Sequence, residues 1–260
     1  MISAFRVVMT DDSANHVKSV TRALDIIEAL KDLNGGGVSD VADRVDIPPS
    51  TVHNYLATLQ ANEYVVTKGS EYHLADRFIH IGDFAKNRHD LVNVGKREIE
   101  SLVEETGQTV NLVLEENGMG IYAYSRTGAG GLQNFAHVRE REYLHSTSSG
   151  KALLANLPEE RVEEIIATHG LPRKTSSTIT EESELKADLS TIRERGYSLN
   201  DEENTPGVRA VGAPIEIEAD TFAAVSVAGP INRFTDEVFY DELPGMVHRT
   251  AKSIEVDLVS

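Results

Sequence analysis

A proline pair at Pro48 and Pro49 strongly limits what the N-terminal part of this chain can form. Proline cannot continue a helix that precedes it, but it suits the first position of a helix that follows. A short helix is predicted before the pair, with Ser39 as its N-cap. After the pair, apolar residues recur at spacings that match one buried helix face: Val52, Tyr55, Leu56 and Leu59. The pair therefore predicts two helices joined by a tight turn.

Further elements on both sides extend this unit. An earlier helix over residues 17–33 is predicted, and the run from Asn34 to Gly37 ends it. Its predicted inward stripe consists of Val20, Ala23, Leu24, Ile27, Leu30 and Leu33. Two β-prone segments, 64–67 and 71–74, are joined by a turn at residues 68–70. Helix, helix, turn, helix and hairpin form a winged helix-turn-helix, which we predict over residues 16–75.

The exposed face of the helix after the prolines carries short polar side chains: Ser50, Thr51, His53 and Asn54. Such side chains suit base edges and phosphates, whereas an ordinary solvated helix face would carry Glu and Lys. In a helix-turn-helix, the N-terminal residues of this helix enter the major groove. Lys68, at the hairpin tip, would contact a phosphate. We therefore predict double-stranded DNA as a partner; the alternative is a helical module that contacts protein.

The net charge of −17 argues at first against a nucleic-acid partner. The acidic residues are dispersed, and even residues 1–75 hold ten Asp and Glu against six Lys and Arg. A dispersed acidic surface is typical of a cytoplasm with very high salt, where charge repulsion is screened. There, little affinity comes from counterion release, and recognition depends on hydrogen bonds and a few placed cations. We predict a halophilic cytoplasmic protein; an ordinary acidic cytosolic protein is the alternative.

Several classes of protein are disfavoured by what the sequence lacks. The absence of Cys excludes disulfides, thiolate metal sites and Cys nucleophiles. No run approaches the ~18 apolar residues of a membrane span, and the nine His residues show no metal-binding spacing. We expect no metal, no cofactor and no membrane association. Residues 1–15 are predicted to be a disordered leader, with Met9 rather than Met1 as the native start.

The rest of the chain predicts a linking helix over residues 76–95 and a larger domain over residues 96–260. Strands are expected at 109–115, 121–125, 208–217 and 221–228, with helices between and after them. The last two strands would pair around a turn at Glu218-Ala219-Asp220. This mixture predicts an α+β domain built around one antiparallel sheet flanked by helices.

Six strings, spread from residue 17 to residue 230, resemble the IclR family of isocitrate lyase regulators. Two lie in the predicted DNA-binding domain, at 17–27 and 46–56. The other four, at 145–155, 195–203, 206–214 and 224–230, resemble the family's effector-binding domain, which has a GAF-like fold. The resemblance implies that Arg22 lies near the DNA backbone. Asn54 stands where the family commonly has Arg, and Asn can pair with adenine through two hydrogen bonds.

Ligand-binding residues are predicted in the second domain. Ser148, Ser149 and Gly150 would lie at a helix N-terminus, whose N–H groups attract anions. The resemblance implies that this segment lines a pocket for small metabolites, often carboxylates. It adds four pocket positions: Asn200, Ala210, Ser226 and Ala228. Asn200 stands where many members have Asp, so an anionic ligand should meet less repulsion. The alternative is a simple helix cap with Lys151 on the surface.

Enzymatic interpretations are weak. The segment from Ser146 to Lys151 lacks the first Gly of a phosphate-binding loop and the Ser or Thr that follows its Lys. The Gly-rich run 128–131 is interpreted as a loop over the pocket or a hairpin connection. Asp201-Glu202-Glu203 has no paired nucleophile or base.

We therefore predict a transcription regulator that is not an enzyme. It would be a homodimer or tetramer on a near-palindromic operator, controlled by a small organic effector, most simply a carboxylate. The alternative is a ligand sensor whose helical domain contacts protein.

Overall fold

The computed structural model describes residues 16–88, 90–132, 141–216 and 222–260. The leader predicted over residues 1–15, with its start at Met9 or Met1, lies outside the described residues, as does the turn predicted at Glu218-Ala219-Asp220. The chain forms two compact units, which divide between residues 85 and 86.

The first unit is a winged helix-turn-helix, as predicted. Its elements are α1 (Lys18–Asp32), α2 (Val38–Val45), α3 (Pro49–Ala61), β1 (Val65–Lys68) and β2 (Glu71–Leu74). Pro49 occupies the first turn of α3. Ser39 is not the N-cap of α2; that position belongs to Gly37, whose N–H donates to Asp40 Oδ2 at 2.9 Å.

The predicted inward stripe of α1 is wrong in part. Val20 and Leu24 are 56% and 57% exposed, whereas Ile26 and Ala29 are buried in the core of this unit. Helix α1 carries apolar residues on two sides, so spacing alone could not identify the buried one. Leu30, common to both stripes, is buried as predicted.

The helix predicted over residues 76–95 is divided in two. Helix α4 spans Arg77–Lys86, and α5 spans Asp90–Thr106 after a turn at residues 87–88. Asp90 lies in the first turn of α5, where a negative charge is favourable. Helix α5 continues to Thr106, and its buried residues belong to the core of the second unit.

The second unit contains a six-stranded antiparallel sheet in the order β5-β4-β3-β8-β7-β6. Its strands are β3 (Thr109–Glu116), β4 (Met119–Thr127), β5 (Glu142–Tyr143), β6 (Ser198–Asp201), β7 (Val208–Ile215) and β8 (Ala223–Pro230). The remaining α-helices are α6 (Ser148–Asn156), α7 (Glu159–His169), α8 (Glu182–Arg195) and α9 (Leu243–Leu258). Strands β5 and β6, both at the edges, were not predicted; they are only two and four residues long.

Helices cover both faces of this sheet. Because side chains alternate along a strand, Val225 and Val227 of β8 pack with α5 and α9, while Ala224 packs with α6 and α8 on the other face. The predicted antiparallel sheet flanked by helices is thereby confirmed. Among the helices of the described residues, none combines the length and apolar character of a membrane span.

Candidate functional site

A cleft opens on the sheet face that carries α6. It encloses about 590 Å³ of empty space, including the part open to solvent. All but one of the predicted ligand residues line it, namely Ser148, Ser149, Asn200, Ala210, Ser226 and Ala228. The structure adds lining residues that the sequence did not suggest: Thr109, Asn111, Tyr122, Leu132, Glu142, Thr147, Asn204, Thr205 and Val208.

Strand register explains why these distant residues meet. In one row across four strands, neighbouring partners are Thr109, Ala228, Ala210 and Asn200. The adjacent row consists of Asn111, Ser226, Gly212 and Ser198. Cross-strand partners point to the same face of a sheet. The two rows therefore form the floor beneath the N-terminus of α6.

Gly212 allows α6 to lie close to this floor. A Cβ atom at position 212 would lie 2.7 Å from the carbonyl carbon of Ser148, which is closer than any ordinary contact. Ser198 Oγ donates to the Ser148 carbonyl oxygen at 2.6 Å and fixes the same point of the helix. The helix N-terminus is thus held directly over the sheet.

The first turn of α6 presents backbone N–H groups to the cleft. Thr147 is the N-cap, and its Oγ1 accepts from the N–H of Gly150 at 3.0 Å. The helix itself supplies no acceptor for the N–H groups of Ser148 and Ser149, because they are its first residues. Together with the positive end of the helix dipole, they form an anion-attracting wall.

Gly150, predicted as a ligand residue, is not part of the lining. Its N–H is occupied by Thr147, and a Cβ at this position would collide with the backbone of Leu144. Gly150 instead allows α6 to pack closely against the turn at Leu144–Ser146.

The floor carries a short polar network. Ser125 donates to Asn111 Oδ1, and Asn111 Nδ2 donates to Ser226 Oγ at 3.4 Å. Because Ser226 Oγ is the acceptor of this bond, its own hydroxyl proton remains available among the described residues. A ligand oxygen above the floor could accept it.

Asn200 is engaged at both ends of its side chain. Its Nδ2 donates to the carbonyl oxygen of Ser146 at 2.6 Å, and its Oδ1 accepts from the N–H of Glu203 at 3.2 Å. The amide therefore holds together two segments of the cleft wall. This goes beyond the predicted role, in which Asn200 only reduced repulsion of an anion, since an ionised Asp could not donate to Ser146.

Glu142 and Asn204 form another part of the wall, which the sequence did not reveal. Burial raises the pKa of Glu142, and this is opposed by the nearby charge of Lys174 and by a hydrogen bond from Asn204. Both residues lie in polar stretches, where periodicity gives no signal. Asn111 did offer one, because it interrupts the otherwise apolar run of strand β3.

Lys151 is buried, so the alternative that put it on the surface is wrong. Its Nζ lies 2.8 Å from Asp188 Oδ2 and 2.7 Å from Glu203 Oε1. Burial raises the pKa of Glu203, against the opposing effect of Lys151. The three carboxylates at 201–203 do not form a cluster: Asp201 pairs with Arg209, Glu202 accepts from Gly207, and Glu203 turns to Lys151.

In the first unit, α3 buries Val52 and Leu56, while Tyr55 and Leu59 are half-buried. The opposite side of its first two turns carries Ser50, His53 and Asn54, all exposed, and Thr51, half-buried. Arg22 on α1 and Lys68 at the end of β1 are exposed cations on separate elements.

Comparisons with known proteins agree with both units. The family profile described as "IclR helix-turn-helix domain" matches residues 19–69, and "Bacterial transcriptional regulator IclR C-terminal" matches residues 84–256. The probable HTH-type transcriptional regulator ArcR of Halobacterium salinarum is 35% identical, over 96% of this chain and 99% of that protein. The transcriptional repressor IclR of Escherichia coli is 33% identical, over 95% of this chain and 92% of that protein.

Solved structures share the fold. The crystal structure of the Thermotoga maritima IclR superposes with a TM-score of 0.78 at 28% identity, covering 94% of this chain and all of that one. An IclR homolog from Microbacterium hydrocarbonoxydans, complexed with 4-hydroxybenzoate, gives the same TM-score at 22% identity, over 92% of this chain and 98% of that one. Both halves of the chain match in sequence, and the whole matches in fold. The chain belongs to the IclR family of transcriptional regulators, which bind DNA and respond to small-molecule effectors.

Proposed function

We propose that this regulator reads DNA with α3 and senses a small carboxylate in the cleft at the N-terminus of α6. The observation that carries the ligand class is the pair of N–H groups at Ser148 and Ser149, held over a floor of neutral donors. No Lys, Arg or His is found among the described lining residues. A single carboxylate suits such a wall better than a phosphate, which would call for a cation.

The cleft favours sensing over catalysis. Ser226, the hydroxyl on its floor, is bonded to the amide of Asn111 rather than to a His or carboxylate that could act as a base. The relatives are transcriptional regulators, and 4-hydroxybenzoate, the molecule bound to one homologous structure, also bears a carboxylate.

For DNA, we propose that Thr51 and Asn54 contact base edges, with Ser50 and His53 beside them. Arg22 and Lys68 would contact phosphates, because they are exposed cations on elements flanking α3. A homodimer would place two copies of α3 in major grooves about one helical turn apart. Such a dimer would bind a near-palindromic operator.

A mobility-shift assay with the region upstream of its own gene tests the DNA role. Thr51→Ala combined with Asn54→Ala should abolish specific binding and leave the circular dichroism spectrum unchanged. Gln60→Ala is the matched control, because Gln60 is exposed near the other end of α3; its Nε2 donates to Thr67 Oγ1 at 3.1 Å. If the wild type shifts no DNA at any salt concentration, the result favours the alternative, in which the helical unit contacts protein.

Thermal shift against a panel of small carboxylic acids tests the sensing role. Ser226→Ala should raise the acid concentration needed for a given thermal shift by about tenfold, since it removes a hydroxyl donor from the floor. An unchanged response in this variant would exclude Ser226 from the site.

A further inference from the structure

Among the described residues of the cleft wall, one carries a carboxyl group and none carries a basic side chain. Among the described lining residues, Glu142 is the one with an acidic or basic side chain; the others offer hydroxyl, amide or apolar groups. An anionic ligand must therefore place its carboxylate away from Glu142. The N-terminus of α6 is the place that the cleft provides.

The position of Glu142 is set by the sheet. It pairs in register with Gly120 on β4, two residues from Tyr122, and Tyr122 also lines the cleft. Residues two apart on a strand, and their cross-strand partners, share one face. Glu142 therefore projects on the side of the sheet that carries the ligand cleft.

Asn204 lies beside the carboxyl group and donates a hydrogen bond to it. Ser146 Oγ lies 3.4 Å from Asn204 Oδ1 and 3.2 Å from the Tyr143 carbonyl oxygen, so the Asn204 amide lies next to a hydroxyl group on its other side. A carboxylate offers about four acceptor positions, and the bond from Asn204 uses one. The carboxyl group is thus oriented, partly desolvated and still able to accept hydrogen bonds from a ligand.

The electrostatics agree with this geometry. Burial raises the pKa of Glu142, since the ionised form has lost part of its hydration. A donor from a ligand would restore that lost hydrogen bonding, whereas a second anion would add repulsion. Lys174 attracts the same carboxylate, and its Nζ lies 5.2 Å from the ring centroid of Tyr143.

We propose that Glu142 selects ligands with two features, a carboxylate for the α6 N-terminus and a second group, hydroxyl or ammonium, that donates a hydrogen bond. The same residue rejects ligands with a second anionic group. Small hydroxy acids or amino acids fit this description, and dicarboxylates and phosphorylated acids do not. This inference rests on the proposed carboxylate sensing.

Matched acids that differ only in the second group test the selection by isothermal titration calorimetry. Suitable sets are acetate, glycolate and glycine; propionate, lactate and alanine; and benzoate with 4-hydroxybenzoate. In at least one set, the donor-bearing acid should bind the wild type about tenfold more tightly than the plain acid, as expected for a hydrogen bond to a charged group. Malonate and succinate should bind more weakly than acetate and propionate.

Two variants assign the preference to Glu142. Glu142→Leu should bind plain and donor-bearing acids equally. Glu142→Gln, which can still accept from Asn204 and from a hydroxyl, should keep the hydroxy-acid preference, lose any amino-acid preference and gain affinity for dicarboxylates. Glu116→Gln is the matched control, because it removes an exposed carboxylate at the end of β3 that pairs with Arg141. Thermal unfolding checks that all three variants fold.

Failure of carboxylate sensing and failure of the role of Glu142 give different results. If no carboxylic acid binds wild type or variants, carboxylate sensing itself fails, and the role of Glu142 with it. If acids bind but the wild type prefers no donor, or Glu142→Leu keeps the preference, Glu142 is not the selecting residue and carboxylate sensing stands.

Discussion

Lys151 and Glu203 join two walls of the cleft through an ion pair of 2.7 Å. Lys151 lies in the first turn of α6, two residues after Ser149. Glu203 directly precedes Asn204 and Thr205, which line another wall of the cleft. Thr175 donates to the carbonyl oxygen of Glu202 at 2.7 Å and Thr178 to that of Glu203 at 2.6 Å, so two adjacent carbonyl groups of this segment are anchored.

Replacing Lys151 with Met should lower the free energy of unfolding by about 3 kcal/mol or more. The change removes the cation and leaves the carboxylate of Glu203 buried without its partner, which is the costly way to break a buried pair. Chemical denaturation in molar KCl, followed by circular dichroism, measures it. Adding Glu203→Gln should recover most of the loss, and strictly additive effects in the double variant would contradict the proposed coupling.

Gly212→Ala should reduce both stability and ligand response. The added methyl group would overlap the backbone at Ser148, so α6 must move away from the sheet, at a cost of about 1–3 kcal/mol. Gly245→Ala in α9 is the control, since only Arg249 lies near the added atom, and Ala favours a helix. Equal melting temperatures for Gly212→Ala and the wild type would show that the helix does not need this close approach.

His145 should make the folded protein less stable below pH 6.5. Burial lowers the pKa of His145 below its ordinary value of 6.5, although the bond from its Nε2 to the Pro172 carbonyl at 3.1 Å opposes this. The unfolded chain then takes up the proton more readily than the folded one, so stability falls as pH falls from 6.5 toward the folded pKa. The loss cannot exceed about 1.4 kcal/mol per pH unit.

Melting temperatures from pH 5 to 8 test this prediction. His145→Gln can still donate to Pro172 but does not titrate. As the pH falls, the melting temperature of the wild type should therefore decrease relative to that of this variant. A gap that stays constant across this range would assign the pH dependence to other groups.

Specific DNA binding should persist in molar KCl, with a shallow dependence of affinity on salt. The acidic first unit offers few cations, so few counterions are released on binding. Lys68→Ala should flatten the slope of log affinity against log salt by about 0.9, the amount expected for one phosphate contact. A steep loss of affinity with rising KCl would count against adaptation to high salt, which the relative from Halobacterium salinarum supports.

The fold was predictable because its signals are local. The proline pair, the hairpin turn and the helix stops each depend on a few adjacent residues. Helix α1 shows the limit: with apolar residues on two sides, its phase is decided by α2 and α3, which bury Ile26 rather than Val20.

Most residues of the cleft could be predicted only where they lie in the sequence strings that resemble the IclR family. Ser226 lies within such a string, but Glu142 lies outside them, and only the pairing of a two-residue strand brings it to the cleft. Lys151 illustrates a different difficulty. A lysine after a helix start is ordinarily solvated, and its burial depends on Asp188 and Glu203, 37 and 52 residues further along the chain.

The bond between Asn111 and Ser226 joins residues 115 positions apart. Strand β8, which carries Ser226, is synthesised after all residues of the winged helix-turn-helix have been made. Local contacts form early, and contacts of long sequence separation form last. A growing chain therefore completes α3, the helix that we propose reads DNA, before it completes the cleft in which we propose that an effector acts, and control by the effector begins only once β8 has been made.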